Sequence, residues 1–306
     1  MSSRCPIRTV LTSILKSIYA ALPLKRPVFN VARKVVKLPF RVYQHLWFRG
    51  TFSVETGRGS RFRMVNHGHQ LETMVFWGGL VGSWEHATLD LWTKACVGAR
   101  CVLDVGANTG LFALAAKAIS PTALVHCFEP IPRVRERLDL NVGLNGMDIH
   151  VHGVAASDRK GKAQLHHDIS DHGYLASLEQ EPTSYEAGSF AVPTDRIDDI
   201  LRAEGVASVD LVKIDVERHE PAVLRGMGRY LDDRPTLFVE VLSASVAQAV
   251  ETAVQGRGYL YFRIDEAHGI EQLPHIIYEL RPGHGFNYLI CTAAEAKRLG
   301  VEVNAA

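Results

Sequence analysis

The stretch Leu103-Asp104-Val105-Gly106-Ala107-Asn108-Thr109-Gly110-Leu111 decides the fold of this chain. Apolar runs lie on both sides of it, which predicts the order strand, glycine turn, helix. Gly106 and Gly110 permit a tight turn and let a ligand approach the main chain. The helix that follows directs its N-terminal amides at that ligand. A nucleotide-like cofactor is therefore expected at the carboxyl end of this first strand.

The glycine spacing distinguishes between cofactors. A dinucleotide fingerprint needs G-x-G-x-x-G, but Asn108 and Leu111 occupy its second and third glycine positions. The form D-x-G-x-x-x-G instead resembles motif I of class I S-adenosylmethionine-dependent methyltransferases, whose loop wraps the methionine part of the cofactor. The resemblance implies that one run of six residues binds the cofactor: Asp104, Gly106, Ala107, Asn108, Thr109 and Gly110.

An acidic residue ends the second expected strand. Leu124–Phe128 is short and mostly apolar, and Glu129-Pro130 follows it. A carboxylate roughly 20 residues after the glycine turn suits hydrogen bonds to the ribose hydroxyls of a cofactor. Alternatively, Glu129 caps the helix that starts near Pro132. Glu129 and Pro130 are candidate cofactor-binding residues.

Further acidic residues follow a third strand, expected over residues 209–214. Asp215 stands at its carboxyl end, and Glu217, His219 and Glu220 come directly after it. Open α/β sheets place their ligands at this edge. Glu217 and Glu220 could instead complement the dipole of the next helix.

Four motifs together resemble the FkbM family of methyltransferases. They are LDVGANTG, CFEP, VKIDVERHEPAVLRG and LFVEV, in this order, and the resemblance covers residues 75–292. It extends to Glu85, Ser157 and Asp158, which it implies as further cofactor contacts. It also implies S-adenosyl-L-methionine as cofactor and O-methylation of a sugar, glycolipid or secondary-metabolite hydroxyl. Arg218 departs from the family, which usually has glycine at this position.

The chemistry of methyl transfer suggests which residues act. The sulfonium methyl needs an aligned nucleophile and the exclusion of water. A hydroxyl is a weak nucleophile, so a base should take its proton. Glu217 or His219 is the preferred base, with Asp215 orienting the cofactor or acceptor. Glu240 and, less directly, Glu85 are further candidates, and His219 could instead fill a polar surface site.

The rest of the chain completes an α/β fold. Strands are expected at 236–241, 258–264 and 286–291, with a helix at 246–255. Alternating strands and helices predict a Rossmann-like methyltransferase sheet of about seven strands, mostly parallel with an antiparallel edge. We expect one catalytic domain over 55–306.

The N-terminal extension, residues 1–54, differs in charge from this domain. The 306 residues carry a net charge of +1, yet the extension has ten basic and no acidic residues. A basic amphipathic helix is expected near residues 10–22, after which Pro23 and Pro27 should interrupt helical structure. The extension could pack on the catalytic domain or a sister subunit, contact an anionic membrane, or be a leader. It is too short and interrupted to span a bilayer, and nucleic acid is not an expected partner.

Cysteine usage indicates the compartment. The chain has five cysteines and no C-x-x-C pair, which disfavours a disulfide scaffold or a zinc site. A reducing, cytoplasmic setting is expected, with a peripheral position at the inner membrane as an option.

Residues 165–191 are expected to form an insertion over the site. This segment is interpreted as a lid or an acceptor-contacting element rather than a metal site, although five of its residues are of ligand type: His166, His167, Asp168, Asp171 and His172.

Two other classes of protein remain open at this point. One is a nicotinamide-dependent oxidoreductase on a similar sheet, which the missing glycines disfavour. The other is a non-catalytic binding protein that kept the cofactor fold, for which Arg218 is the main argument.

Overall fold

The computed structural model describes the chain in seven pieces: residues 19, 22, 24–82, 85–168, 176–177, 187–279 and 286–304. Its strands are β1 (Gly50–Glu55), β2 (Arg61–Asn66), β3 (Cys101–Val105), β4 (Leu124–Phe128), β5 (His150–His152), β6 (Ala155–Ala156), β7 (Gly161–Asp168), β8 (Ala176–Ser177), β9 (Ala187–Asp195), β10 (Leu211–Ile214), β11 (Thr236–Glu240), β12 (Leu260–Asp265), β13 (Gly269–Leu273) and β14 (Asn287–Cys291). Its helices are α1 (Lys25–Val35), α2 (Phe40–Tyr43), α3 (Gln70–Gly78), α4 (His86–Cys96), α5 (Leu111–Ile119), α6 (Pro132–Asn145), α7 (Ile197–Ala203), α8 (Glu220–Gly226), α9 (Ala244–Val254) and α10 (Ala293–Leu299).

The central sheet has the order β13-β12-β14-β11-β10-β3-β4-β5. The five strands from β11 to β5 are parallel, and β14 runs against both β11 and β12. This confirms the mostly parallel sheet with an antiparallel edge. The described residues form eight strands in it rather than about seven, because β13 pairs with β12 as an edge hairpin. The strand β13 is largely exposed and polar, so it lacks the apolar run that marks buried strands.

The middle of the sheet is buried on both faces. All five residues of β3 are buried, as are the four of β10. Parallel strands covered by helices are expected to be almost continuously apolar, which is why the sequence located them correctly. Cys101, Cys127 and Cys291 lie in these strands as buried free thiols, and burial raises the pKa of each.

A second sheet, β6-β9-β7-β8, forms the insertion between β5 and α7. Its longest pairing joins β7 to β9 in antiparallel register. The strand β9 thus spans the last residues of the insertion expected at 165–191 and continues to Asp195. Residues 169–175 and 178–186, which include Asp171 and His172, lie outside the described chain.

The N-terminal region contributes a helix and a hairpin. The hairpin β1–β2 buries Phe52 and Phe62 in the core that α5 also packs against. The boundary expected between the N-terminal extension and the catalytic domain, after residue 54, falls within β1. The helix α1 contains Pro27, so the expected interruption there is wrong. The reason is that Pro27 occupies the first turn, where its missing N–H has no helical acceptor. Pro23 and most of residues 10–22 are not described.

One face of α1 packs on the domain. The ring of Phe29 lies 5.2 Å from that of Trp77, and Arg33 donates to the carbonyl of Phe76 at 3.0 Å. Among the described helices, none is long and apolar enough to cross a membrane.

Candidate active site

A cavity of about 310 Å³ opens at the carboxyl ends of β3, β4, β10 and β11. This is the edge at which an open α/β sheet binds ligands. Ten residues predicted from the sequence line the cavity: Asp104, Gly106, Ala107, Asn108, Glu129, Pro130, Asp215, Glu217, His219 and Glu240. The side chains of Phe112, Phe128, Ile131 and Val134 supply apolar walls.

The glycine turn is fixed by close packing. Gly106 has a φ of 80°, and a Cβ at this position would lie 1.8 Å from the carbonyl oxygen of Asp215. Only glycine lets the turn after β3 approach the end of β10 so closely. Gly110 also has positive φ and a Cβ there would meet Leu138. Gly110 and the buried Thr109 do not line the cavity. They shape the turn on its side away from the cavity.

Asp104 connects β3 to α5. Its buried carboxylate accepts a hydrogen bond from the backbone N–H of Ala113 at 3.0 Å. Burial raises the pKa of Asp104 to about 7. The residue thus holds the helix start against the end of β3, next to the cavity.

Glu129 is oriented by two backbone amides. Its Oε2 accepts from the N–H of Asn108 at 3.0 Å, and its Oε1 accepts from the N–H of Ile131 at 2.9 Å. Burial raises the pKa of Glu129 to about 7, although these two hydrogen bonds act in the opposite direction. Each oxygen keeps further acceptor capacity. A pair of ribose hydroxyls is a suitable ligand for a carboxylate fixed in this way.

A buried lysine, which the sequence analysis did not identify, lies at the centre of the acidic residues. Lys213 is 1% exposed, and its Nζ donates to Oδ2 of Asp215 at 3.2 Å and to Oδ1 of Asn287 at 3.3 Å. Burial alone would lower the pKa of Lys213. The carboxylates of Asp215, Glu85 and Glu240 outweigh this effect and raise it.

Glu85 and Glu240 complete this group. Carboxylate oxygens of Glu85, Asp215 and Glu240 lie within 4.8 Å of one another. Oε1 of Glu85 accepts from Nδ2 of Asn287 at 2.8 Å. Burial raises the pKa of Glu85 to about 7 and that of Glu240 well above its usual value. Glu240 therefore holds its proton more strongly than an exposed carboxylate does.

The turn after β10 has two consecutive residues in the left-handed region. Glu217 has a φ of 54° and Arg218 a φ of 80°. Arg218 thus adopts the conformation that the family's usual glycine would take, and its N–H donates to Glu220 at 3.0 Å. Val216 donates to the same oxygen of Glu220. Glu220 therefore shapes the turn through hydrogen bonds to backbone amides, a role different from the helix-dipole interaction considered as its alternative.

Glu217 and His219 both line the cavity, but His219 also lines an adjacent groove. Glu217 lines the cavity, and burial, followed by the charges of Asp215 and Glu220, raises its pKa to about 7. Nε2 of His219 lies 3.0 Å from Oγ of Ser157. Two predicted cofactor contacts, Ser157 and Asp158, line an adjacent groove rather than the cavity, and Asp158 pairs with Arg225 there at 3.0 Å.

The fold is that of the class I S-adenosylmethionine-dependent methyltransferases, and the cavity lies at the edge where such a sheet binds its ligand. Residues 104–286 match the family model "Methyltransferase FkbM domain", which is more than half of the chain. The chain belongs to the FkbM methyltransferase family, and S-adenosyl-L-methionine is its cofactor. This finding overturns the nicotinamide alternative.

Several curated proteins are similar to the chain. The 2-O-methyltransferase NoeI of Sinorhizobium fredii is 32% identical over 152 residues, which are 45% of this chain and 62% of NoeI. The 31-O-demethyl-FK506 methyltransferase FkbM of Streptomyces tacrolimicus is 31% identical over 154 residues, 41% of this chain and 58% of that protein. AMB antimetabolite synthetase AmbE of Pseudomonas aeruginosa is 30% identical over 203 residues, 56% of this chain and 9% of AmbE. The chain thus spans less than two thirds of each of these relatives.

The cavity has the size and the lining of a small-molecule site, and its chemistry suits the cofactor. Ligand sites of about 300–1,000 Å³ combine apolar walls with a few placed polar groups, as this one does. The apolar side of the cavity suits an adenine ring, and Glu129 suits the ribose. The buried Oδ1 of Asn108 has no hydrogen-bond partner among the described residues, so it is available to a bound polar group.

Replacing Glu129 with glutamine is expected to weaken binding of S-adenosylhomocysteine about 10- to 100-fold, because charge-assisted hydrogen bonds are lost. Isothermal titration calorimetry measures this change. Glu136→Gln is the matched control, since Glu136 is exposed on the neighbouring helix α6. Equal affinities for the two variants would remove Glu129 from the cofactor site.

Proposed function

We propose that this chain methylates a hydroxyl group of a sugar, glycolipid or secondary-metabolite acceptor. The observation that carries the proposal is the carboxylate of Glu217, which lines the cofactor cavity with a pKa raised to about 7. A general base is most effective when its pKa lies near the working pH. Two relatives support an oxygen acceptor, because their names describe a 2-O-methyltransferase and a 31-O-demethyl-FK506 methyltransferase.

Each residue around the cavity has a separate role in the proposed methyl transfer. The bound cofactor supplies a methyl group on a sulfonium. Glu217 would take the proton of the acceptor hydroxyl as that oxygen receives the methyl group. Lys213 holds the carboxylate of Asp215 in place through the 3.2 Å ion pair, so Asp215 can orient the acceptor. His219 is the alternative base, although its Nε2 already lies beside Ser157.

An acceptor screen tests this function directly. The purified full chain is incubated with S-adenosylmethionine and a panel of hydroxylated glycans, glycolipids and polyketides, with matched amine and carboxylate acceptors as controls. Mass spectrometry is expected to find a product that gains one methyl group on oxygen. Methylation of the amine or carboxylate acceptors alone would overturn the proposal.

We further propose that the N-terminal region contacts an anionic membrane surface. The outer face of α1 exposes an apolar stripe of Leu24, Val28, Val31 and Val35, the last 77% exposed. Basic residues accompany it, and the extension has no acidic residue to oppose anionic lipid. The face that carries Phe29 packs on the domain, so the helix presents this stripe outward.

Vesicle flotation tests the membrane proposal. The full chain is expected to float with phosphatidylglycerol-containing vesicles but not with phosphatidylcholine alone. The triple substitution of Val28, Val31 and Val35 by serine should abolish flotation. Val97→Ser changes an exposed valine in the loop after α4 and serves as the control. Equal flotation of the triple variant and the control would exclude α1 as the contact.

A further inference from the structure

Three histidines gather at the edge of the central sheet, away from the cofactor cavity. His126 of β4 pairs in register with His150 of β5, and Phe128 pairs with His152. Residues two apart in a strand share a face. All three imidazoles therefore lie on the face covered by α7, where Glu204 follows the last turn of that helix.

The ligand-type atoms of this cluster are close together. Nδ1 of His126 lies 3.2 Å from Nε2 of His152 and 3.5 Å from Oε2 of Glu204. A tetrahedral zinc centre with bonds of 2.0–2.1 Å separates its ligands by about 3.4 Å. Nδ1 of His150 lies 3.2 Å from the same Glu204 oxygen. His152 contacts Glu204 as well, with its Nδ1 3.8 Å from Oε1. One ligand-type atom from each of His126, His152 and Glu204 lies within 4.8 Å of the other two, a spacing that suits one small cation.

Burial favours the neutral form of two of these imidazoles, those of His126 and His152. His126 is 1% exposed, and burial together with the neighbouring His150 and His152 lowers its pKa to about 3. Burial also lowers the pKa of His152. Neutral imidazole is the form that binds transition metals. A single carboxylate beside them matches the mixed nitrogen and oxygen ligand sets that zinc accepts.

We propose that His126, His152 and Glu204 bind a divalent transition-metal ion of the zinc class. Nδ1 of His126, Nε2 of His152 and Oε2 of Glu204 are the ligand atoms, and His150 orients the carboxylate through its contact with Glu204. His150 is 40% exposed in its side chain, so solvent reaches the cluster and can supply the fourth ligand.

The position of the site indicates a structural role. The ring of Phe128 stacks on that of His152 at 4.8 Å and also lines the cofactor cavity. The backbone N–H of Glu129 donates to the carbonyl of His152 at 3.1 Å. An ion here would fix β4 to β5 and to α7 directly behind the carboxylate expected to hold the ribose.

Cobalt titration tests the proposal, since Co²⁺ reports its coordination geometry by absorption. Tag-free full chain is treated with a chelator, dialysed and titrated with Co²⁺, then with Zn²⁺ in competition. One equivalent of tetrahedral Co²⁺ is expected, displaced by Zn²⁺. Glu204→Gln and His152→Gln should abolish the tetrahedral spectrum. His150→Gln should weaken affinity about 10- to 100-fold, as loss of an outer partner does.

Two controls make the result decisive. His275→Gln removes a histidine from another His–Glu pair, 2.8 Å from Glu251, and should leave binding unchanged. The double substitution His166→Gln/His167→Gln alters the insertion and should also have no effect. Retention of the tetrahedral spectrum in Glu204→Gln, its loss in the His166/His167 variant, or an octahedral spectrum in the wild type would overturn the site. Circular dichroism of Glu204→Gln, whose side chain is partly exposed, verifies the fold.

Discussion

Replacing Glu217 with glutamine is expected to lower kcat by about 10²–10⁴-fold, the usual contribution of a general base. Glutamine keeps the size of the side chain but cannot accept the hydroxyl proton. Cofactor affinity should change little, because the residue lies beyond the motif I loop. Single-turnover kinetics with a reactive acceptor, together with calorimetric titration of S-adenosylhomocysteine, measure the two effects separately.

The pH profile gives the same test a second readout. The pKa of Glu217 is raised to about 7, so the residue is protonated and inactive as a base well below that pH. The wild-type rate should therefore rise with pH through about 7 and then level off. This rise should disappear from the residual rate of Glu217→Gln.

His219→Gln is the comparison variant for this prediction. It removes the rival base and the contact with Ser157 without altering the Glu217 carboxylate. We expect His219→Gln to keep the pH-dependent rise. If His219→Gln loses it and Glu217→Gln keeps it, the roles of the two residues are reversed.

The parts of the fold that sequence predicted are those with a strong local signal. The strands β3, β4 and β10 are short, mostly buried runs; the glycine turn follows β3, and acidic residues follow β4 and β10. The parallel strands bring these carboxyl ends to one edge. The sequence pattern therefore predicted correctly that the glycine turn, Glu129 and Asp215 lie at the same edge of the sheet.

Other features depend on contacts between distant residues. Lys213 lies inside the apolar strand β10, and its Asn287 partner is on a strand 74 positions later. The edge hairpin strand β13 has no buried face to give it periodicity. The conformation of Arg218 is set by the hydrogen bonds of the turn to Glu220. The conformational preferences of arginine do not predict it. Sequence spacing contains little information about any of these.

Lys213 compensates a concentration of buried negative charge. Its Nζ lies within hydrogen-bond distance of Asp215, and the charges of Glu85 and Glu240 also act on it. Breaking a buried ion pair by removing one partner leaves the other charge without compensation. The ion pair therefore couples the stability of the fold to the charge state of the active site.

Replacing Lys213 with methionine is accordingly expected to lower the free energy of unfolding by about 3–5 kcal/mol. Methionine fills similar volume, so the loss reflects charge rather than a cavity. Urea unfolding followed by circular dichroism measures it. Lys94→Met is the matched control, because Lys94 forms an exposed ion pair with Asp90 at 2.7 Å and should cost less than about 1 kcal/mol.

The double variant Lys213→Met/Asp215→Asn separates charge from packing. If uncompensated charge causes the loss, neutralising Asp215 should restore much of the stability of the single variant, although activity stays low because Asp215 no longer orients the acceptor. Equal instability of the single and double variants would mean that Lys213 acts through packing against groups such as the Phe112 ring, 5.3 Å from its Nζ. A positive coupling energy between the two substitutions identifies the ion pair as the element on which both fold and site depend.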